Sequence, residues 1–226
     1  MEAIASSRKT KSNKKHIFNV QVYLASVGVA RKVVEYRRSQ RIYSQGDPAT
    51  DVLYIQQGAV KLSVVSPFGK EAVVAILGPG DFLGEGGLAF QSFRNSTATA
   101  ITHTNLLVIE KDEMVRALHA EHEFSDRFIS YMLSRNMRTE EALIDQLFNS
   151  SEKRLARALL LLTRYGLQDE PLKRLPKVSQ EMLAEMIGAT RTRVNFFMTK
   201  FKKLGFIGYD GGLHINPSLL SVILHE

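Results

Sequence analysis

The sequence predicts an α+β chain in three parts: a roll of short antiparallel strands, a long central helix, and a C-terminal winged helix-turn-helix. Three observations predict it. Between about Glu35 and Glu110, short apolar segments alternate with glycine-containing turns. From Glu123 to about Asn149 neither Gly nor Pro interrupts the chain. Beyond Ser179, two capped helical segments flank Gly188. These parts divide the 226 residues into a basic tail (1–20), the roll (21–120), the long helix (121–149) and the winged domain (150–226).

The tail carries Arg8, Lys9, Lys11, Lys14 and Lys15 with no apolar stretch behind them. It therefore lacks the pattern of a secretory signal and reads as a solvated arm or one that touches DNA. No apolar run approaches the roughly 20 residues that span a bilayer, so no membrane role is expected and the expected location is the cytoplasm. The absence of cysteine excludes disulfides, thiolate-held iron–sulfur clusters and Cys-type zinc sites. A net charge of +7 favours a polyanionic partner, because each neutralised phosphate releases counterions.

The roll is built from Val52-Leu53-Tyr54-Ile55, Ala59 to Val65, Ala72 to Leu77 and Leu106 to Ile109. Turn signals separate them at Gly46-Asp47-Pro48, Gly58, Pro67-Phe68-Gly69 and Gly78-Pro79-Gly80-Asp81. Strands this short at this spacing close into a sandwich or roll. In the long helix, Met132, Asn136, Thr139, Leu143 and Gln146 recur at spacings of four and three. That is a coiled-coil seam, so a homodimer is expected through it. Asn149-Ser150-Ser151 then breaks the helix and places the hinge, with a further helix from Glu152 to Tyr165.

Ser179 is placed to cap a helix running to Ile187, Gly188 to turn the chain, and Thr190 to cap a second helix from Arg191 to about Leu204. Leu183, Ile187, Val194, Phe197, Phe201 and Leu204 form its inward stripe. Opposite stand Arg191, Thr192, Asn195 and Lys202, with Arg193, Lys200 and Lys203 on the flanks. Such a helix suits a major groove, with Arg for guanine, Asn for adenine and Lys for phosphates. The expected contact set is Ser179, Gln180, Thr190, Arg191, Thr192, Asn195, Phe196, Lys200 and Lys203. The segments Gly205–Tyr209 and Leu213–Ile215, joined by Asp210-Gly211-Gly212, make the wing.

Two motifs in order, Gly80-Asp81-Phe82-Leu83-Gly84-Glu85-Gly86-Gly87-Leu88 and the run from Glu181 to Arg191, resemble the cyclic-AMP receptor protein (Crp/Fnr) family of bacterial regulators. The resemblance covers residue 40 to the C-terminus. It implies a cyclic-nucleotide-binding-like roll and a homodimer on an inverted repeat of double-stranded DNA, working with RNA polymerase. It further implies that Glu85 binds a ribose hydroxyl beside the Gly84 backbone, and that Arg94 pairs with the cyclic phosphate, followed by Asn95. Arg135 and Thr139 fall where the family's central helix meets the ligand. The effector so implied is cyclic AMP or a related cyclic nucleotide. Another small anion, no ligand, or haem remain as rivals, although His16, His103, His119 and His122 show no ligand spacing.

The chain departs from the family pattern at Asn95-Ser96 and at Glu140, and the loop before Arg94 is one residue short. The family's cyclic-AMP-responsive members read DNA with Arg, a following Glu and a second Arg five residues after the first. Here Arg191, Thr192 and Phe196 stand at those places, so a different half-site is expected. An enzyme is not expected: there is no phosphate-binding loop, nucleophile elbow or HExxH motif. The cluster of His119, Glu121, His122 and Glu123 reads as solvated charge. The other class left open is an adaptor whose C-terminal domain binds protein.

Overall fold

The computed structural model describes residues 18–26, 31–163, 178–209 and 212–224. The expected basic tail up to residue 17, the end of the expected helix at Tyr165 and the wing tip at 210–211 lie outside them.

After helix α1 (Val20–Ser26) come strands β1 (Arg31–Tyr36), β2 (Arg41–Tyr43), β3 (Asp51–Gln57), β4 (Val60–Val65), β5 (Glu71–Leu77) and β6 (Phe82–Leu83). A 3-10 turn (Glu85–Ala89) precedes β7 (Thr97–Ala100) and β8 (Thr104–Glu110). These strands form two antiparallel four-stranded sheets, ordered β1-β8-β3-β6 and β2-β7-β4-β5. The apolar runs of β3 and β8 are continuous because both faces are covered. Leu53, Ile55 and Leu106 join Val60, Leu62, Leu77 and Ala98 between the sheets. The alternate residues Val52, Tyr54, Leu107 and Ile109 meet Leu24, Met114, Ala117 and Phe124 on the helical side.

Met114 and Ala117 belong to α2 (Lys111–Ala120), a helix that sequence reading had left within the roll. The long helix α3 spans His122–Phe148, about 40 Å at 1.5 Å per residue. The acidic cluster at its start has a structural role. Glu121 caps α3, its carboxylate accepting the Glu123 amide at 3.2 Å.

Two residues, Asn149 and Ser150, separate α3 from α4 (Ser151–Thr163) where the hinge is expected. The C-terminal domain adds α5 (Gln180–Ile187), α6 (Arg191–Lys203), the hairpin β9 (Ile207–Gly208) with β10 (His214–Ile215), and α7 (Leu220–Leu224). Its core unites Leu155, Leu159, Leu162, Leu183, Ile187, Val194, Phe197, Met198 and Phe201. Leu204, expected in that stripe, is instead 56% exposed, because it caps α6 as the helix ends. The core also takes in Ile76 of β5, with Val73 and Ile101 packed against it, so the roll and the C-terminal domain share an apolar contact.

Candidate effector site and nucleic-acid interface

The roll closes around four charged side chains. Gly84 turns the chain with φ +80°, and a Cβ there would collide with the Arg94 guanidinium. Only glycine allows that approach without strain. Arg94, 6% exposed, donates Nη1 to the Gly84 carbonyl at 3.0 Å and pairs Nη2 with Asp51 Oδ1 at 2.8 Å. Its guanidinium lies 4.5 Å from the centre of the Tyr43 ring. Burial pushes the Tyr43 phenol up to about 12; Arg94 pulls against that rise and Glu85 adds to it. Tyr43 is therefore a neutral wall at physiological pH.

Glu85 pairs with Arg135 of α3 at 2.9 Å. Burial works against the Arg135 charge, but Glu85 and Tyr131 outweigh it and hold the guanidinium above its ordinary value. Arg135 also donates to the Phe82 carbonyl at 3.1 Å. Tyr131 closes the clamp: its hydroxyl accepts the Phe82 amide and donates to the Phe82 carbonyl, each at 3.0 Å. Two polar atoms remain buried without a hydrogen-bond partner, Arg94 Nε and Glu85 Oε2. A buried polar atom in that condition has bonding capacity that a water, an ion or a ligand could take up.

Of the residues expected here, the structure brings together Gly84, Glu85, Arg94 and Arg135. Asn95 and Thr139 are exposed, and the Thr139 hydroxyl is used within its own helix, donating to the Arg135 carbonyl at 3.0 Å. Asp51, Tyr43 and Tyr131 escaped sequence reading. Of the seam expected on α3, Asn136, Thr139, Leu143 and Gln146 are exposed and Met132 is half-buried; the Gln146 side chain lies beside Gly188. The exposed large apolar residues of α3 are Ile129, Leu133, Met137, Leu143, Ile144, Leu147 and Phe148. The side of α3 that covers the roll runs through Phe124, Phe128, Tyr131 and Arg135, which half-buries the neighbouring Met132.

In the C-terminal domain the caps form as expected. Ser179 Oγ accepts the Met182 amide at 3.1 Å and Thr190 Oγ1 the Arg193 amide at 3.3 Å. Gly188 makes the turn at φ +62°. Gln180 bridges to Asn195 at 3.2 Å, tying the start of α5 to the reading face. Buried Val194, Phe197, Met198 and Phe201 leave Arg191, Thr192, Asn195, Phe196, Thr199 and Lys203 exposed. Thr199 was missed by sequence reading, although four-residue spacing from Asn195 places it on the same face. Helix α6 carries five basic residues and no acidic one. Arg191 rests on Glu181 at 3.0 Å, an exposed pair that opens at little cost. Lys200 is turned to Glu152 of α4 at 2.7 Å, which draws its ammonium toward the domain's own helix.

A two-sheet roll, a long helix and a basic winged helix-turn-helix in one chain define the class: a DNA-binding transcription regulator with a sensor-type roll. Residues 33–121 match the cyclic nucleotide-binding domain and residues 153–219 the Crp-like helix-turn-helix domain. The chain is 34% identical over 167 residues to the global nitrogen regulator of a Synechocystis strain, covering 72% of this chain and 74% of that protein. It is 29% identical over 180 residues to the CRP-like cAMP-activated global transcriptional regulator of Mycobacterium tuberculosis, covering 79% and 80%. The structure of FixK2 from Bradyrhizobium japonicum shares the fold, with a TM-score of 0.74 at 19% identity over 86% of this chain and 96% of that one. The chain belongs to the Crp/Fnr family, whose members are transcription regulators and not enzymes. Among the described residues, no helix is long and apolar enough to cross a membrane.

Proposed function

We propose that this regulator acts in the cytoplasm as a homodimer, reads an inverted repeat with α6, works with RNA polymerase, and is switched by a cyclic nucleotide held in the roll. The observation that carries the reading is the convergence of Glu85, Arg94 and Arg135 on one partly buried site. A carboxylate suits a sugar hydroxyl, and a guanidinium forks onto phosphate oxygens. Because Arg135 belongs to α3, a ligand at Glu85 changes what holds the long helix. The cAMP-activated mycobacterial relative supports cyclic AMP as the first ligand to test.

For the dimer, the exposed seam Ile129, Leu133, Asn136, Glu140, Leu143 and Leu147 keeps a four-three spacing on α3. The test is a titration of cyclic AMP against melting temperature, followed by fluorescence anisotropy on DNA sites chosen by random-sequence selection. A ligand at 100 times its Kd stabilises the folded state by about 2.7 kcal/mol. An unmoved melting temperature together with unchanged DNA affinity would leave a regulator without a nucleotide effector.

A further inference from the structure

We propose that Asp51 is an internal competitor for the anion site, occupying Arg94 until an oxyanion displaces it, and so sets the affinity and charge selectivity of the roll. This rests on the reading of Arg94 as the anion-binding residue. Asp51 opens β3, and the two-residue period of a strand places it on the same face as Leu53 and Ile55, toward the roll interior. There it meets Arg94 with one oxygen only, at 2.8 Å. Its other oxygen accepts a hydrogen bond from Thr50 Oγ1 at 3.1 Å. A guanidinium has five N–H donors. Arg94 directs Nη1 to Gly84 and Nη2 to Asp51, while Nε stays buried and unpartnered. The contact is thus incomplete on the guanidinium side, and a phosphate or similar oxyanion can better it by engaging two nitrogens at once.

Charge balance points the same way. Arg94 and Arg135 face Asp51 and Glu85, so the site is neutral as it stands. An anion added to a neutral, partly buried site lacks compensation, which favours displacement of one carboxylate. Asp51 is the one placed to do so: its side chain is 28% exposed against 4% for Arg94. It also lines an open groove of about 910 Å³ whose walls carry Lys32 and Lys111 alongside Glu110 and Asp112. Glu85, by contrast, is held by Arg135.

The experiment compares wild type, D51N, T50A and D51N/R94L by calorimetric titration with cyclic AMP and by melting in inorganic phosphate. Loss of the competitor is expected to tighten cyclic AMP binding to D51N by about one to two powers of ten. T50A, which frees Asp51 without removing it and alters only an exposed hydroxyl, should change affinity in the same direction by less. Inorganic phosphate should raise the melting temperature of D51N beyond that of wild type, and the excess should vanish in D51N/R94L. Equal or weaker cyclic AMP binding by both D51N and T50A overturns the proposal while leaving the nucleotide reading standing. Phosphate stabilisation specific to D51N and dependent on Arg94, with no cyclic AMP binding to any variant, supports the competitor and removes the nucleotide. Absence of both effects overturns both.

Discussion

Arg135→Met removes the cation that joins α3 to the site, and its cost can be worked from the contacts. Glu85 Oε1 loses its partner at 2.9 Å, while Oε2 already has none. A carboxylate whose side chain is 21% exposed is then left uncompensated, and the Phe82 carbonyl loses a charge-assisted donor. Breaking one side of such a pair costs about 3–5 kcal/mol, a large share of the roughly 5–15 kcal/mol that holds a domain together. Glu85→Gln alone should cost a similar amount by stranding Arg135. Adding it to Arg135→Met should cost far less, because no charge remains. Urea unfolding of the four proteins, at fixed protein concentration and with the roll's transition fitted separately, gives the coupling. We expect about 2 kcal/mol or more. Additivity to within about 0.5 kcal/mol would refute the claim that the two charges depend on each other.

Leu143→Asp should weaken dimerisation and DNA binding together, since it places a charge in the seam; sedimentation reads the first and anisotropy the second. The link between roll and DNA-reading domain should depend on pH through Lys61, which pairs with Glu71 at 2.9 Å and with Glu185 at 3.3 Å. Burial lowers the Lys61 pKa, but hydrogen bonds and charge from both carboxylates raise it further, and the Lys61 hydrogen bond leads in holding Glu71 below its ordinary value. The stabilisation from Lys61 is therefore complete below its unfolded pKa of about 10.4 and lost as pH rises through the higher folded value. That from Glu71 is complete above about 4.3 and lost as pH falls through the lower one. The stability difference between wild type and Lys61→Met should be flat between those limits and shrink beyond each; a difference that changes steadily between pH 6 and 9 would refute the assignment. On DNA, Arg191→Ala should cost about 1–3 kcal/mol at one base position, and Lys203→Ala should weaken all sequences alike and flatten the salt slope. Half-sites about 34 Å apart are expected in sequences selected by the dimer, and a consensus without two-fold symmetry would remove α6 from this role.

The helix-turn-helix was legible because its determinants are local. The Ser179 and Thr190 caps each act three residues along the chain, and Gly188 stands at the one turn needing positive φ. The strands were legible by period and by the turns between them. The charged site was legible only in part, through the resemblance at Gly84, Glu85 and Arg94. Asp51 and Arg94 are 43 residues apart, and Tyr131 and Phe82 are 49 apart. No periodicity reports a contact that the roll creates by closing. The seam was only partly legible for a related reason. A helix serving two surfaces carries two apolar stripes, and Phe128 and Tyr131, which cover the roll, are indistinguishable in sequence from residues awaiting a second copy.

Two physical routes lead from the site to the reading helix, and both end on α5. Along α3, the clamp of Tyr131 and Arg135 on Phe82 is continued at the far end by Arg154. That residue donates Nη1 to the carbonyls of Gln146 and Asn149 and Nε to that of Ile187, at 3.2, 3.0 and 3.0 Å. Ile187 is the last residue of α5 and immediately precedes the Gly188 turn. Through the sheet, Ile76 enters the C-terminal core, and Lys61 holds Glu185 on the same helix. Helix α5 is thus held from two sides, by Arg154 at the junction of α3 and α4 and by the β4–β5 hairpin. If a ligand shifts α3 relative to the roll, we expect the sheet contact to loosen before the Arg154 contacts do. The Lys61 ion pairs are partly solvated and singly bonded, whereas Arg154 makes three hydrogen bonds to backbone across the two residues between α3 and α4.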